Sequence, residues 1–159
     1  KIFSRGEHQR MIRFRKLRVG DLDEVYQDDE LRPLITGKPK GRRFAAVVDE
    51  EEQILGGVSG YLKDKAAYIQ CVILKDMKQK DVYQDGLIRS LIHFLDLDGA
   101  EYLFVRREKD EALYRKIGFQ PIRAEIRKQS AEIPDALQKG DILWLNLKDF
   151  FEESSQQGC

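Results

Sequence analysis

Ala112-Leu113-Tyr114-Arg115-Lys116-Ile117-Gly118-Phe119 reads as the last turns of a short helix, a glycine stop and the start of a strand. Asp110 to Ile117 is the helix, because Gly118 supplies the left-handed backbone that ends one without steric cost. Phe119 to Ile126 then reads as a strand, and upstream Glu101 to Val105 is a short apolar run of the kind buried in a sheet. Further upstream, Leu87, Ile88, Leu91, Ile92, Phe94 and Leu95 recur with helical period until Asp98-Gly99, so the principal helix ends there. Gly86 eases the turn into that helix.

Toward the N-terminus lie the strand-like runs Phe44 to Asp49, Ile54 to Leu62 and Ala67 to Leu74. Their connections, Glu50-Glu51-Glu52-Gln53 and Lys63-Asp64-Lys65, are polar and of hairpin length, which predicts an antiparallel meander. Gly56-Gly57 and Gly60 inside the middle run point to a bulge or a close backbone approach. Ile12 to Arg18 alternates as a half-buried first strand, followed by a short helix capped by Asp21 that carries Leu22, Val25 and Tyr26. A further helical turn over Asp29 to Ile35 leads into a Gly- and Pro-containing loop. After a helical turn over Ile133 to Gly140, Ile142 to Leu147, with Trp144 inside it, closes the fold as a last strand.

The chain of 159 residues fits one domain, spanning 11–149, with 1–10 as an upstream extension or expression remnant and 150–159 as a polar tail, frayed from Glu152 to Cys159. Apolar residues make up 42% and charged residues 35%, a heavily solvated surface around an ordinary core, which excludes wholesale disorder. Lys plus Arg and Asp plus Glu are each 28, so no global basic field exists to hold nucleic acid or an anionic membrane. No run reaches the ~20 apolar residues of a membrane span and no secretory signal opens the chain, which predicts a soluble cytoplasmic protein. Cys71 and Cys159, with His8 and His93, are too few and too scattered for a disulfide framework or a zinc site.

The element order over Ile12 to Leu147 (strand, helix, three meander strands, helix, strand, helix, two strands) resembles the GNAT superfamily of N-acetyltransferases. The segment Ala112 to Phe119 looks like that superfamily's A-x-x-x-Y-x-K-x-G-F stretch. Tyr83-Gln84-Asp85-Gly86-Leu87-Ile88 stands where the family carries its pyrophosphate loop, Q/R-x-x-G-x-G/A. The resemblance implies an α/β fold of GNAT type, a mixed, mostly antiparallel sheet of about seven strands flanked by helices. It also implies an acetyl-CoA-dependent N-acyltransferase that moves an acetyl group directly to a primary amine of a small-molecule or peptide acceptor, acting as a monomer or homodimer. The alternative is a coenzyme-binding or regulatory module of the same fold without turnover. A nucleic-acid-binding accessory domain is a third reading, against which the neutral charge counts.

By the same resemblance Tyr114 donates a proton or hydrogen bond to the departing coenzyme A sulfur, a task suited to a phenol that is protonated at neutral pH. Its other reading is an amphipathic residue closing a short helix before Gly118. The backbone at Val72, Ile73 and Leu74 is implied to pair with the pantetheine arm and polarise the thioester carbonyl. Gln84, Asp85, Gly86, Leu87 and Ile88 are implied to offer their amides to the pyrophosphate. The loop departs from the pattern: one residue separates Gln84 from Gly86, Ile88 replaces the second small residue, and Asp85 sets a negative charge beside the phosphates. Gln70 stands where several members carry a glutamate base, and an amide cannot accept that proton, leaving it to position water or the amine. His93 falls on the solvent face of its helix, and Cys71 reads as a core thiol without a base beside it. Lys38, Lys40, Arg42 and Arg43 form a basic cluster, either a solvated loop or a border to an anionic acceptor.

Overall fold

The computed structural model describes residues 11–75, 78–107, 110–122 and 142–157, the last five by backbone alone. The N-terminal strand β1 (Ile12–Lys16) leads through a 3-10 turn (Val19–Asp21) into α1 (Leu22–Gln27) and α2 (Pro33–Thr36). The meander β2 (Arg42–Glu50), β3 (Gln53–Lys63) and β4 (Ala66–Leu74) follows as expected. Then come α3 (Lys80–Leu97), β5 (Tyr102–Arg106), α4 (Glu111–Ile117), β6 (Gln120–Pro121), β7 (Ile142–Asn146) and α5 (Leu147–Gln157). The seven strands form one sheet in the order β1-β2-β3-β4-β5-β7-β6. Neighbours are antiparallel except β4 and β5, which run parallel because α3 crosses between them.

One face of the sheet is covered by α3, whose Leu87, Ile88, Leu91, Ile92 and Leu95 are buried against Ala46, Val58, Leu103 and Leu143. Each such side chain contributes about 1.5–3 kcal/mol on leaving water, which makes this helix the main brace of the fold. The opposite face carries α1 and α2, with Val25, Leu31 and Leu34 over Val47, Ile54 and the half-buried Cys71 and Ile73. Beside them an aromatic row crosses the strands: Tyr61 stacks on Tyr68 at 4.9 Å and Tyr68 on Phe104 at 5.2 Å.

Several sequence expectations change. The principal helix begins at Lys80, not beside Gly86, since nothing between Lys80 and Leu87 interrupts the helical phase. Gly86 sits inside that helix, where a Cβ would fall 2.4 Å from the Phe14 ring, so its bareness lets α3 approach β1. Of the strand expected from Phe119 to Ile126, Gln120–Pro121 is observed, while 123–126 and the turn expected at Ile133 to Gly140 lie outside the described residues. Beyond β7 the backbone is helical from Leu147 to Gln157, and Leu147, Phe150 and Phe151 form an apolar stripe that packs α5 on the main core. Asp21 stands at the N-cap of α1 but makes no cap bond there. Its carboxylate accepts instead from Arg15 and from the Arg18 backbone N–H.

That carboxylate belongs to an ionic cluster that ties β1 to β2. Asp49 is fully buried and accepts from Arg13 Nε at 3.1 Å, Arg13 Nη2 at 3.0 Å and Arg15 Nε. Burial raises the affinity of Asp49 for its proton, but the bonds from Arg13 and Arg15 outweigh it and hold the carboxyl below its ordinary range.

Candidate functional site

The feature that sets this sheet apart is a fork between its two parallel strands. Among the described residues, β4 is held to β5 by three pairs, Ala66 with Tyr102, Ala67 with Leu103 and Tyr68 with Phe104. The strand then runs on to Leu74 paired with β3 on its other side, so its β5-facing edge from Ile69 onward leaves the parallel ladder. A bulge marks the divergence. Ile69 pairs with Gly60 and Cys71 with Ser59, so Gln70 is the extra residue, and it is exposed. Gly60 makes the bulge possible, since a Cβ there would lie 1.8 Å from the Tyr68 carbonyl oxygen.

The register also fixes which amides face the fork. Lys75 N–H donates to Leu55 C=O at 2.8 Å, and antiparallel alternation therefore turns the Cys71 and Ile73 N–H groups toward β3. Val72 and Leu74 consequently present their N–H and C=O groups to the fork. Such an edge can hydrogen-bond an extended, amide-bearing chain laid alongside it. Cys71 is half-buried, and burial pushes its thiol pKa up, which fits the core-thiol reading and not a nucleophile.

The helices that follow the two forked strands, α3 and α4, pack into the same apolar cluster. Gln84, Asp85, Gly86, Leu87 and Ile88 occupy the second and third turns of α3, so their N–H groups are committed to carbonyls one turn back. This corrects the expectation that they are open to an anion. The N–H groups without intrahelical partners are those of the first turn, at Lys80 and Asp81, because Val82 and Tyr83 already donate to Gln79 C=O. Lys78, Gln79 and Lys80 are exposed there, and Gln79 takes the left-handed conformation at φ 65°. Gln79-x-x-Val82-x-Gln84 has the spacing of the resembled loop pattern, with Val82 and Gln84 where small residues would stand. The sequence alone does not single out this frame, because the polar Gln84 hides the first turns of the helix from a hydrophobic-period argument.

Two of the loop residues have partners. Gln84 is 7% exposed and its Nε2 donates to Asp110 Oδ2 at 3.3 Å, linking α3 to the residue that precedes α4. Asp85 does not stand bare, because Arg89 Nε donates to its two oxygens at 3.0 and 3.2 Å. Tyr114, on α4, is 3% exposed and sets its ring edge-on against Phe119 at 5.2 Å. It joins the same apolar cluster as Val72, on the α3 side of the sheet. Gly118, at φ 131°, ends the helix as the sequence predicts. Gln70, Val72 and Leu74 thus lie on β4 beyond its last pair with β5, and Tyr114 is buried in the same apolar cluster as Val72. It sets His93 on the exposed face of α3, near Phe151. No group of metal-ligating side chains occurs among the described residues, and no helix among them is long and apolar enough to cross a membrane.

No family model matches the sequence, and no curated protein matches it. The fold does match solved structures, several of them acetyltransferases. The ribosomal-protein-S18-alanine N-acetyltransferase of Escherichia coli superposes with a TM-score of 0.62 at 15% identity, over 86% of this chain and 94% of that one. An acetyltransferase of the GNAT family from Staphylococcus aureus gives 0.60 at 11% identity, over 86% and 99%. The N-acetylglutamate synthase of Neisseria gonorrhoeae, solved with coenzyme A and L-arginine, gives 0.59 at 15% identity over 85% of this chain. This chain spans 33% of that longer protein. At such identities the likeness establishes the fold, which is the GNAT fold the sequence resemblance implied.

Proposed function

We propose that this chain is an acetyl-CoA-dependent N-acyltransferase that transfers an acetyl group directly to a primary amine of a small-molecule or peptide acceptor in the cytoplasm. The observation that carries the reading is the fork, where β4 outruns its pairing with β5 and turns the backbone of Val72 and Leu74 into the gap. The pantetheine arm of coenzyme A is an extended chain with amides, which fits that edge in kind. The inner amides of Gln84 to Ile88 do not suit the pyrophosphate, whereas the entrance of α3, with Lys80 and Asp81 N–H groups and the Lys78 and Lys80 ammonium groups, does. Neighbours of the same fold include one solved with coenzyme A, which supports the choice of co-substrate.

Bound there, acetyl-CoA supplies an activated carbonyl and a thiolate leaving group. The N–H groups of Val72 and Leu74 hold the arm and polarise the thioester carbonyl as charge builds on its oxygen. Tyr114 O–H gives the proton that the sulfur needs as the carbon–sulfur bond breaks and the carbon–nitrogen bond forms. Gln70, exposed on the bulge, orients the acceptor amine or a water through its amide, and the proton released by the amine leaves to water. The test is release of free thiol from acetyl-CoA with a panel of primary amines, including amino acids, peptide N-termini and aminoglycosides. Amine-dependent thiol release with formation of the N-acetyl product supports the reading. Its absence across the panel, with coenzyme bound, refutes transfer to these acceptors.

A further inference from the structure

We propose a second, small-ligand site at the far end of α3, a cavity of about 270 Å³ that takes a monocarboxylate with a compact apolar body. Phe44 of β2, Leu62 of β3 and Leu95 of α3 form its apolar floor, and Lys16, Arg42 and Asp98 stand at its mouth. Leu62 and Leu95 are 9% and 1% exposed, so the floor is part of the core and is already ordered. Part of the basic cluster seen in the sequence, which the proposed reaction does not use, is thereby brought to a cavity.

The charges select the sign of the ligand. Lys16 Nζ reaches Asp98 Oδ1 only at 3.5 Å, a long contact, while sitting 5.8 Å above the Phe94 ring. Arg42 is exposed and has no ion-pair partner among the described residues. Arg43 also lines the cavity, but its guanidinium donates to the carbonyls of Leu34 and Gly37. Two cations, Lys16 and Arg42, against the one carboxylate of Asp98 leave an excess of positive charge over an apolar floor. A bare inorganic anion would leave that floor facing water, and a cation would meet Arg42. A carboxylate matches the planar fork of Arg42, with Lys16 free to leave Asp98 for it, while the apolar body covers Phe44, Leu62 and Leu95. The site lies about 16 Å along α3 from Gln84, taking 1.5 Å per residue, so its occupancy does not depend on coenzyme at the fork.

The test titrates the full chain with phenylacetate and follows the methyl resonances of Leu62 and Leu95, with phenylacetamide and phenethylamine as the neutral and cationic counterparts. Saturable binding of phenylacetate, shifts at both leucines, and affinity at least tenfold above the two counterparts are expected. Arg42→Gln and Lys16→Met should each weaken phenylacetate on the order of tenfold, and Arg42→Lys less, in variants whose circular dichroism matches the parent. The proposal is overturned if phenylacetate does not saturate at millimolar concentration. Equal binding of phenylacetamide, shifts away from both leucines, or parental affinity in Arg42→Gln and Lys16→Met overturn it as well.

Discussion

Replacing Gly60 with alanine tests how the fork is made. A Cβ built at Gly60 lies 1.8 Å from the Tyr68 carbonyl oxygen and 2.8 Å from Phe44 Cζ, where contacts under 3.0 Å are essentially never tolerated. The Phe44 ring can swing aside, but the Tyr68 carbonyl belongs to a strand held on its other side by pairing with Phe104. At least 1.2 Å of backbone displacement is therefore needed, from 3.0 less 1.8. Overpacking of this kind costs about 1–3 kcal/mol, and loss of one or two ladder bonds about 1 kcal/mol each, so the sum is about 3 kcal/mol. For a domain of this size that corresponds to a melting temperature lower by roughly 6–12 °C. Thermal melts by circular dichroism measure it, with Gly20→Ala as the control because nothing lies within 4 Å of a Cβ there. If Gly60→Ala melts within about 2 °C of the parent, the bulge is not held by this close approach and the account of the fork fails.

The buried cluster around Asp49 predicts an acid limb of stability. Burial alone would raise the pKa values of Asp49 and Asp21, yet the bonds from Arg13 and Arg15 to Asp49, and from Arg15 and Arg18 to Asp21, bring both below their usual range. Their contribution is complete above the unfolded carboxyl pKa of about 4 and is lost as pH falls through the lower folded values. Asp49→Asn should cost about 3 kcal/mol at neutral pH and flatten the fall in melting temperature below about pH 4, and an unchanged slope would exclude Asp49 as its source. Tyr114→Phe should leave the fold and coenzyme affinity intact while lowering turnover about a hundredfold, read from thiol release under saturating coenzyme. Normal turnover would make Tyr114 structural. Asp85→Asn should change coenzyme affinity less than about twofold at low and high salt, because Arg89 already neutralises that carboxylate. A marked tightening at low salt would mean that Asp85 faces the phosphates.

The parts of this fold that were legible in the sequence are those where one face is apolar and the other is not. The meander was readable from alternation and hairpin-length breaks, and the body of α3 from Leu87 to Leu95. The start of α3 was not, because Gln84 occupies a core-facing position one turn before Ile88 with a polar side chain whose partner, Asp110, is distant in sequence. A hydrophobic-period argument discards such a residue. Gly86 misled for a related reason: a glycine suggests a turn, whereas here it clears space for Phe14. The helix α5 was hidden by the polar residues that follow Phe151, although Leu147, Phe150 and Phe151 share one side. The fork itself is a tertiary property, since no local pattern tells a strand that its parallel neighbour stops pairing after Phe104. Gly60 was the one local trace of it.

The proposed reaction requires an acetyl-CoA arm along the β5-facing edge of β4. Amide resonances of the full chain, followed as acetyl-CoA is added to saturation, test it most directly. Saturable shifts centred on Val72 and Leu74 are expected, with Lys80 and Asp81 moving at the entrance of α3 and Gln84 to Ile88 moving far less. Absence of saturable binding at millimolar acetyl-CoA, or shifts that saturate while Val72 and Leu74 stay unmoved, would contradict it.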